Sequence, residues 1–169
     1  MSNDWGAPQT DDWQQRVEAV WAGADDVADL DLVAAIDALV AERPADDAVA
    51  VFEAACVRDS TGLESEAEPL YRRALELGLD ETRTVRATIQ LASTIRNLGK
   101  VNESIALLER QLVAHPADQW TGPTAAFLAL ALVSRGSERE AASVALTALA
   151  DYLPIYQRSV RGYAAELLG

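Results

Sequence analysis

Few residues of the chain are of the types that act as nucleophiles, general bases or metal ligands. His115 is the only histidine, and it precedes Pro116 at a predicted helix end, where an imidazole interacts favourably with the helix dipole. Cys56 is the only cysteine, and no histidine is placed by sequence to activate it. No second ligand lies at a zinc-like spacing, and no Gly-rich phosphate loop or GxSxG motif is present. We therefore expect no enzymatic activity, no catalytic residue, no metal site and no cofactor.

Polar side chains form a stripe between positions 84 and 98. Its members recur at i, i+4, i+7 and i+11, which places them on one face of a helix. Guanidinium groups match carboxylates through paired hydrogen bonds, and this is the chemistry that the arginines of the stripe could supply. The stripe consists of Arg86, Gln90, Ser93 and Asn97, with Ile89 and Arg96 at its edge. The opposite, apolar side consists of Val85, Leu91, Ala92, Ile95 and Leu98.

Charge argues against two classes of partner. The 169 residues include 14 basic and 27 acidic residues, for a formal net charge of −13. This charge repels the phosphates of nucleic acids and anionic membrane surfaces, so we expect neither as a partner. The N-terminal sequence carries acids where a signal peptide needs bases, and the longest apolar run, 125–133, is too short to span a bilayer. We expect a soluble, cytoplasmic protein.

The hydrophobic pattern predicts an all-α chain. Residues 1–11 lack periodicity and are predicted to be a flexible tail, and residues 12–169 are predicted to form one domain. Asp46 or Asp47 is expected to cap the third helix, and Ser137 with Glu140 to form a capping box. The predicted helices pair over about 12–44, 46–79, 81–116 and 121–152, and a last helix, 155–168, is expected to cover the final pair through Tyr156, Val160, Tyr163 and Leu167.

The pairs repeat with a fixed period. Gly62, Gly99 and Gly136 are each 37 residues apart, and each lies between two predicted helices. A constant spacing of this size with the same helix–turn–helix content is typical of a helical repeat array, in which neighbouring pairs bury each other's apolar faces.

The residues around these glycines resemble the tetratricopeptide repeat family, in a bacterial subgroup mostly of unassigned function. Pro116 ends the central repeat in register, and the Pro-Ala-Asp of 44–46 echoes that of 116–118, so the first pair resembles a degenerate repeat. The resemblance implies a right-handed α-solenoid of about 3.5 repeats plus a C-terminal capping helix. Arg58, Ser104 and Gln111 depart from the motif. Matching positions are Leu91, Ala92, Ile105 and Leu108 in the central repeat, Ala54, Ala55, Ala67, Tyr71, Ala74 and Leu75 before it, and Leu128, Ala129, Ala141 and Leu149 after it.

The resemblance also implies that the first helix of each pair lines a concave groove. Its centre is expected to be polar and basic, with apolar residues on both sides. The stripe residues would lie at this centre. The groove residues contributed by the neighbouring pairs would be Phe52, Cys56 and Asp59 on one side and Phe127, Leu130 and Val133 on the other.

Two functions fit this groove. The first is a protein-interaction module that binds a peptide or protein segment, an acidic or C-terminal one if Arg86 and Arg96 form a positive spot. Both arginines could instead pair with the chain's own carboxylates. The second is a homo-oligomeric scaffold, such as a homodimer, with interfaces built on Trp5, Trp13, Trp21 or Trp120. Trp13 and Trp21 could instead simply pack the first pair.

Overall fold

The computed structural model describes residues 12–169, and the predicted tail at 1–11 lies outside this range. Within residues 12–169 the chain forms nine α-helices, one 3-10 turn at Ala24–Asp26 and no strand, so the all-α prediction is confirmed. The helices are α1 Asp12–Ala22, α2 Asp29–Val40, α3 Ala48–Ser60, α4 Glu64–Leu77, α5 Glu81–Asn97, α6 Val101–Ala114, α7 Thr121–Arg135, α8 Glu138–Ala150 and α9 Gln157–Glu166.

Consecutive helices pack against one another from α1 to α9, with extensive contacts within the pairs α3–α4, α5–α6 and α7–α8 and, between pairs, of α6 with α7. The first helices of neighbouring pairs also meet, because α5 contacts both α3 and α7. This contact pattern is that of a stacked helical-repeat solenoid. It places α5 at the centre of one face, flanked by the other first helices.

The three repeat glycines end their helices in the same way. Gly62, Gly99 and Gly136 have φ values of 75°, 82° and 84°, a left-handed conformation that glycine adopts without a steric penalty. In each case the following amide donates to the carbonyl five residues back, and for Lys100 and Ile95 this distance is 2.8 Å. This is the Schellman motif, which also turns the chain into the next helix. Gly23, between α1 and α2, has φ −102° and lacks this motif.

The core is built from three connected clusters. The first joins α1, α2 and α3, and there the indole of buried Trp13 donates to the carbonyl oxygen of Leu39 at 2.8 Å. The second is centred on Phe52 and Tyr71, whose ring centroids lie 6.2 Å apart. The third joins α5 to α8. Leu98 had been expected on the packed side of α5 but is 37% exposed.

Two capping predictions have different outcomes. The carboxylate of Asp47 accepts hydrogen bonds from the amides of Val49 and Ala50, so it caps α3 as expected. The capping box at Ser137 is wrong. Arg135 donates to the hydroxyl of Ser137 at 3.1 Å and to the carboxylate of Glu140 at 2.6 Å, and thereby engages both side chains.

The covering face predicted for α9 is partly wrong. Tyr156 and Tyr163 are 71% and 67% exposed, whereas Ala164 is fully buried. Val160, Ala164 and Leu167 follow an i, i+4, i+7 spacing, and the small Ala164 permits close approach to α8. Tyr156 has φ 68° and precedes the helix, so α9 begins later than the predicted position 155.

The departures from the repeat motif have structural roles. The hydroxyl of buried Ser104 donates to the carbonyl oxygen of Ala92 at 2.6 Å. Both terminal nitrogens of Arg58 donate to the carboxylate of Asp37, at 2.9 and 3.0 Å, and tie α2 to α3. Gln111 is 8% exposed, and its Nε2 has no hydrogen-bond partner within residues 12–169. Among the helices described, none is long and apolar enough to cross a membrane.

Candidate functional site

A cleft of about 840 Å³ lies between α1, α3 and the N-terminal half of α5, and we call it the α1–α3–α5 cleft. It brings together four of the groove residues predicted from the sequence. These are Cys56, Asp59, Arg86 and Gln90. The sequence interpretation missed the members contributed by α1 and several on α3 and α5. These include Gln14, Glu18, Trp21, Glu53, Asp80 and Arg83.

Arg86 is held against an aromatic face. Its guanidinium carbon lies 5.4 Å from the ring centroid of Phe52, which is fully buried beneath it. A guanidinium in this position gains a cation–π interaction, and the N–H groups along its own edge stay available to donate hydrogen bonds. No carboxylate within residues 12–169 lies at ion-pair distance from Arg86. The alternative in which Arg86 pairs with the chain's own acids is therefore not observed among residues 12–169.

Glu53 is a buried carboxylate on the floor of the cleft. The residue is 5% exposed, and its Oε2 accepts a hydrogen bond of 2.8 Å from the indole nitrogen of Trp21. Burial raises the pKa of Glu53, against the smaller opposing effects of the indole hydrogen bond and of Arg86 and Arg83. The sequence signal that could have found it is a single glutamate inside the apolar run 49–57 of α3.

Asp59 lies one to two turns further along α3. Its carboxylate accepts hydrogen bonds from the hydroxyls of Thr94 at 2.8 Å and Tyr71 at 3.3 Å. Burial raises the pKa of Asp59, and the two hydroxyl donors lower it by less. Both donors are neutral, so the carboxylate is oriented without a counter-charge from either.

Cys56 is an inert part of the cleft floor. It is 6% exposed, and its Sγ donates to Oε1 of Gln90 at 3.7 Å. Burial raises the pKa of the Cys56 thiol to about 12. A protonated thiol at neutral pH is a poor nucleophile and a poor metal ligand. This agrees with the expectation that Cys56 is not catalytic.

Arg83 closes one side of the cleft. It donates to the carboxylate of Asp80 at 2.6 Å and to the side-chain oxygen of Gln14 at 3.0 Å. Asp80 also accepts from the backbone amide of Arg83 at 3.0 Å and so caps α5. These bonds connect α1 to α5 across the cleft, and they engage Arg83, whereas Arg86 has no acidic partner among the described residues.

The glycine hinges and the groove-lining first helices indicate a repeat family, and comparison with family models identifies it. The model described as "Tetratrico peptide repeat" matches residues 48–167, more than half of the chain. The chain belongs to the tetratricopeptide repeat family. The match leaves out α1 and α2, the pair without the glycine motif.

One solved structure similar to this tetratricopeptide repeat protein is the MamA RS-1 ArsTM double mutant. The two align with a TM-score of 0.61 and 13% sequence identity, over 94% of this chain and 92% of that one. At this identity the likeness shows a shared fold. Comparison with curated proteins found no significant match.

Family membership bears on the class of function. Tetratricopeptide repeats are typically non-enzymatic modules, and membership of the family suggests that this chain is a module for protein–protein interaction. Residues 12–169 contain no cluster of three or more histidine, cysteine or acidic residues that could hold a metal ion.

The remaining stripe residues of the tetratricopeptide array lie outside the cleft. Ile89 is 5% exposed and belongs to the core shared with α7. Arg96 donates to the side chain of Asn97 at 2.9 Å, and it lies about 15 Å further along α5 than Arg86, at 1.5 Å per residue. Arg86 and Arg96 thus do not form one positive spot. Ser93 is half-buried and is not among the residues that line the cleft.

On the other side of α5, α7 carries the apolar groove residues predicted from the sequence. Leu130 and Val133 are 49% and 51% exposed, whereas Phe127 is partly buried against the core of α5 to α8. These three residues lie outside the α1–α3–α5 cleft.

The α1–α3–α5 cleft is of mixed charge, which the sequence prediction of a polar and basic groove centre on α5 did not include. Two arginines, Arg83 and Arg86, line the cleft together with four carboxylates. The sequence pattern missed this because the acids come from three helices that only the fold brings together. They are Glu18, Glu53, Asp59 and Asp80.

Proposed function

We propose that the chain binds a segment of another protein in the α1–α3–α5 cleft, with a carboxylate of that segment on Arg86. The observation that carries this proposal is the position of Arg86, stacked 5.4 Å from the ring of Phe52 and without an acidic partner in the described part of the chain. The cleft volume of about 840 Å³ lies within the range of ligand sites.

The chemistry of Arg86 favours a carboxylate ligand. A planar guanidinium can form two parallel hydrogen bonds to one carboxylate, and the stacking on Phe52 limits the rotamers that must be ordered on binding. A charge-assisted contact of this kind contributes about 1.5–3 kcal/mol. Both an acidic side chain and a C-terminal carboxylate supply this group.

Apolar contacts are available further along the groove. Leu130 and Val133 are half-exposed on α7, which packs beside α5. A segment that extends from the cleft across α5 would reach them. This arrangement supports a ligand several residues long rather than a small molecule.

A peptide array tests the proposal. We would measure Kd values for 12-residue peptides of varied sequence, each with a free and with an amidated C-terminus. Arg86→Gln is expected to weaken the binding of the best ligands about tenfold. The matched control is Arg110→Gln, since Arg110 is an exposed arginine on α6, outside the cleft. Binding that is absent in the wild type, or equal in the wild type and Arg86→Gln, contradicts the proposal.

A second candidate, a homo-oligomeric scaffold, is favoured by a different observation. The C-terminal end exposes several large apolar side chains, and such patches often mark protein interfaces. The tryptophans give less support, because Trp13 is buried, Trp21 and Trp120 are partly buried and Trp5 lies outside the described residues. Light scattering over a concentration series tests this candidate, and a constant monomer mass excludes it. The exposed residues are Tyr152, Ile155, Tyr156, Tyr163 and Leu168.

A further inference from the structure

The cleft floor holds a negative charge that the fold leaves only partly compensated. Glu53 is only 5% exposed, yet the indole of Trp21 is the sole hydrogen-bond donor to its carboxylate within residues 12–169. Oε1 of Glu53 accepts no hydrogen bond from the described residues and is not sealed inside the core, because the side chain lines the cleft. A buried carboxylate with one neutral donor keeps most of its desolvation cost.

The nearby arginines compensate this charge only in part, because neither forms an ion pair with Glu53. Arg83 is engaged by Asp80 and Gln14, at 2.6 and 3.0 Å. Arg86 is stacked on Phe52, outside ion-pair distance of Glu53. Among the described residues, Glu53 therefore has a vacant acceptor that faces an open cavity.

The surroundings of this acceptor favour a cation. Glu18 and Asp59 line the same cleft, and the only hydrogen bonds to Asp59 come from two neutral hydroxyls. Carboxylates on several walls of one concave site add to a negative potential there, which attracts positive ligand groups. A neutral donor could satisfy Oε1, whereas a cation would satisfy it and also compensate the buried charge.

We propose that Glu53 is the receptor for a cationic group of the bound segment, an ammonium or guanidinium donated to its free Oε1. This inference rests on the proposed binding of a segment in the cleft. It specifies the ligand as one of mixed charge, with a carboxylate on Arg86 and a cation on Glu53. An ammonium can come from a lysine side chain or from a peptide N-terminus, and both present the same donor chemistry.

The experiment selects ligands and then removes their cations one at a time. A library of random 12-residue peptides is selected on the full-length wild-type protein, and the best ligands are resynthesised in two forms. In one form each lysine or arginine is replaced by norleucine, and in the other the N-terminus is acetylated. The first form tests a side-chain cation and the second an N-terminal one.

We expect one of these changes to weaken binding to the wild type about tenfold, and to weaken binding to Glu53→Gln less than about twofold. Glu53→Gln keeps an acceptor for Trp21, and its thermal melting curve verifies that it folds. Glu109→Gln is the control for overall charge, since Glu109 is exposed on α6; it should lose as much affinity as the wild type when the cation is removed.

The outcomes separate the two proposals. If no library peptide binds the wild type, both proposals fail. If peptides bind and depend on Arg86, but neither cation change matters or the loss is the same in Glu53→Gln, the cation receptor is overturned while the proposed function stands.

Discussion

The indole nitrogen of Trp21 donates a hydrogen bond of 2.8 Å to Oε2 of Glu53, which connects α1 to the floor of the cleft on α3. This bond joins residues 32 positions apart. It gives the degenerate first pair a specific role, because α1 supplies one wall of the cleft and the only donor to its buried carboxylate within residues 12–169.

A double-mutant cycle measures the coupling between these two residues. Trp21→Phe should destabilise the protein by about 1–3 kcal/mol more when Glu53 is present than in a Glu53→Gln background, since only the charged group strongly needs the donor. Urea unfolding of the four proteins gives this difference, and the packing cost of removing the indole cancels in the cycle. Equal losses in both backgrounds would show that the hydrogen bond contributes nothing specific to the carboxylate.

The pH dependence of stability should reveal Glu53. Burial raises its pKa in the folded protein, so the folded state holds its proton up to a higher pH than the unfolded state does. Its contribution to stability is therefore complete below the unfolded pKa and declines as the pH rises through the folded pKa. The stability of Glu53→Gln relative to wild type should therefore rise as the pH increases from the unfolded to the folded pKa of Glu53, and this difference should stay constant at higher pH. A difference in unfolding free energy that does not change with pH contradicts the assignment.

Glu68 is expected to act in the opposite direction. Its hydrogen bond from Lys100, and after it that from Arg72, lower the pKa of Glu68, despite some burial. The stabilisation from Glu68 is thus present above the unfolded pKa and is lost as the pH falls through the folded pKa. Glu68→Gln is a useful comparison because it should destabilise the protein at high pH and lose this effect only as the pH falls through the lowered folded pKa of Glu68. Glu53→Gln should instead stabilise the protein at high pH and lose its effect below the unfolded pKa of Glu53.

The hinge glycines provide a test of the repeat geometry. Gly136→Ala should cost about 1–2 kcal/mol, since φ is 84° and a side chain there is strained even though the space is open. Gly162 is the matched control, because it lies within α9 and a Cβ atom would meet nothing within 4 Å. Gly162→Ala should stabilise the protein by about 0.5–1 kcal/mol. Both substitutions add one methyl group, so opposite shifts of the thermal unfolding temperature would isolate the effect of the left-handed backbone at Gly136. Shifts of the same sign would contradict this explanation.

The packing of α9 is tested by neighbouring residues on different faces. Ala164→Leu should destabilise the protein by about 1–3 kcal/mol, because the site is fully buried and a larger side chain overpacks it. Tyr163→Ala should change stability by less than about 0.5 kcal/mol, since the tyrosine is 67% exposed. Chemical unfolding of both variants checks this, and a larger effect at Tyr163 would restore the face first predicted from the sequence.

Local features of this fold could be predicted from the sequence. Gly62, Gly99 and Gly136 determine the ends of their own helices, so their spacing reveals the repeat directly. Asp47 likewise caps the helix that follows it. Such effects depend on residues close in the chain, and pattern and turn chemistry are enough to find them.

The cleft could be predicted only in part, because it depends on how three helices approach each other. Arg86 and Gln90 were found as members of a helical stripe, but the same stripe included Asn97, which lies outside the cleft. Glu53 and Trp21 have no local relationship that links them. Arg135 shows the same limit at shorter range, since its competition for Ser137 is not visible in a capping motif.

The most direct test of the account is to locate the bound segment. The best peptide from the array is titrated into the 15N-labelled protein, and the indole N–H signal of Trp21 is assigned by its loss in Trp21→Phe. We predict that this signal and the backbone amides near Arg86 shift with the same apparent Kd, and that Arg86→Gln weakens both titrations about tenfold. Saturable shifts confined to the amides of α9, with the Trp21 signal unchanged, would contradict the assignment of the α1–α3–α5 cleft as the binding site.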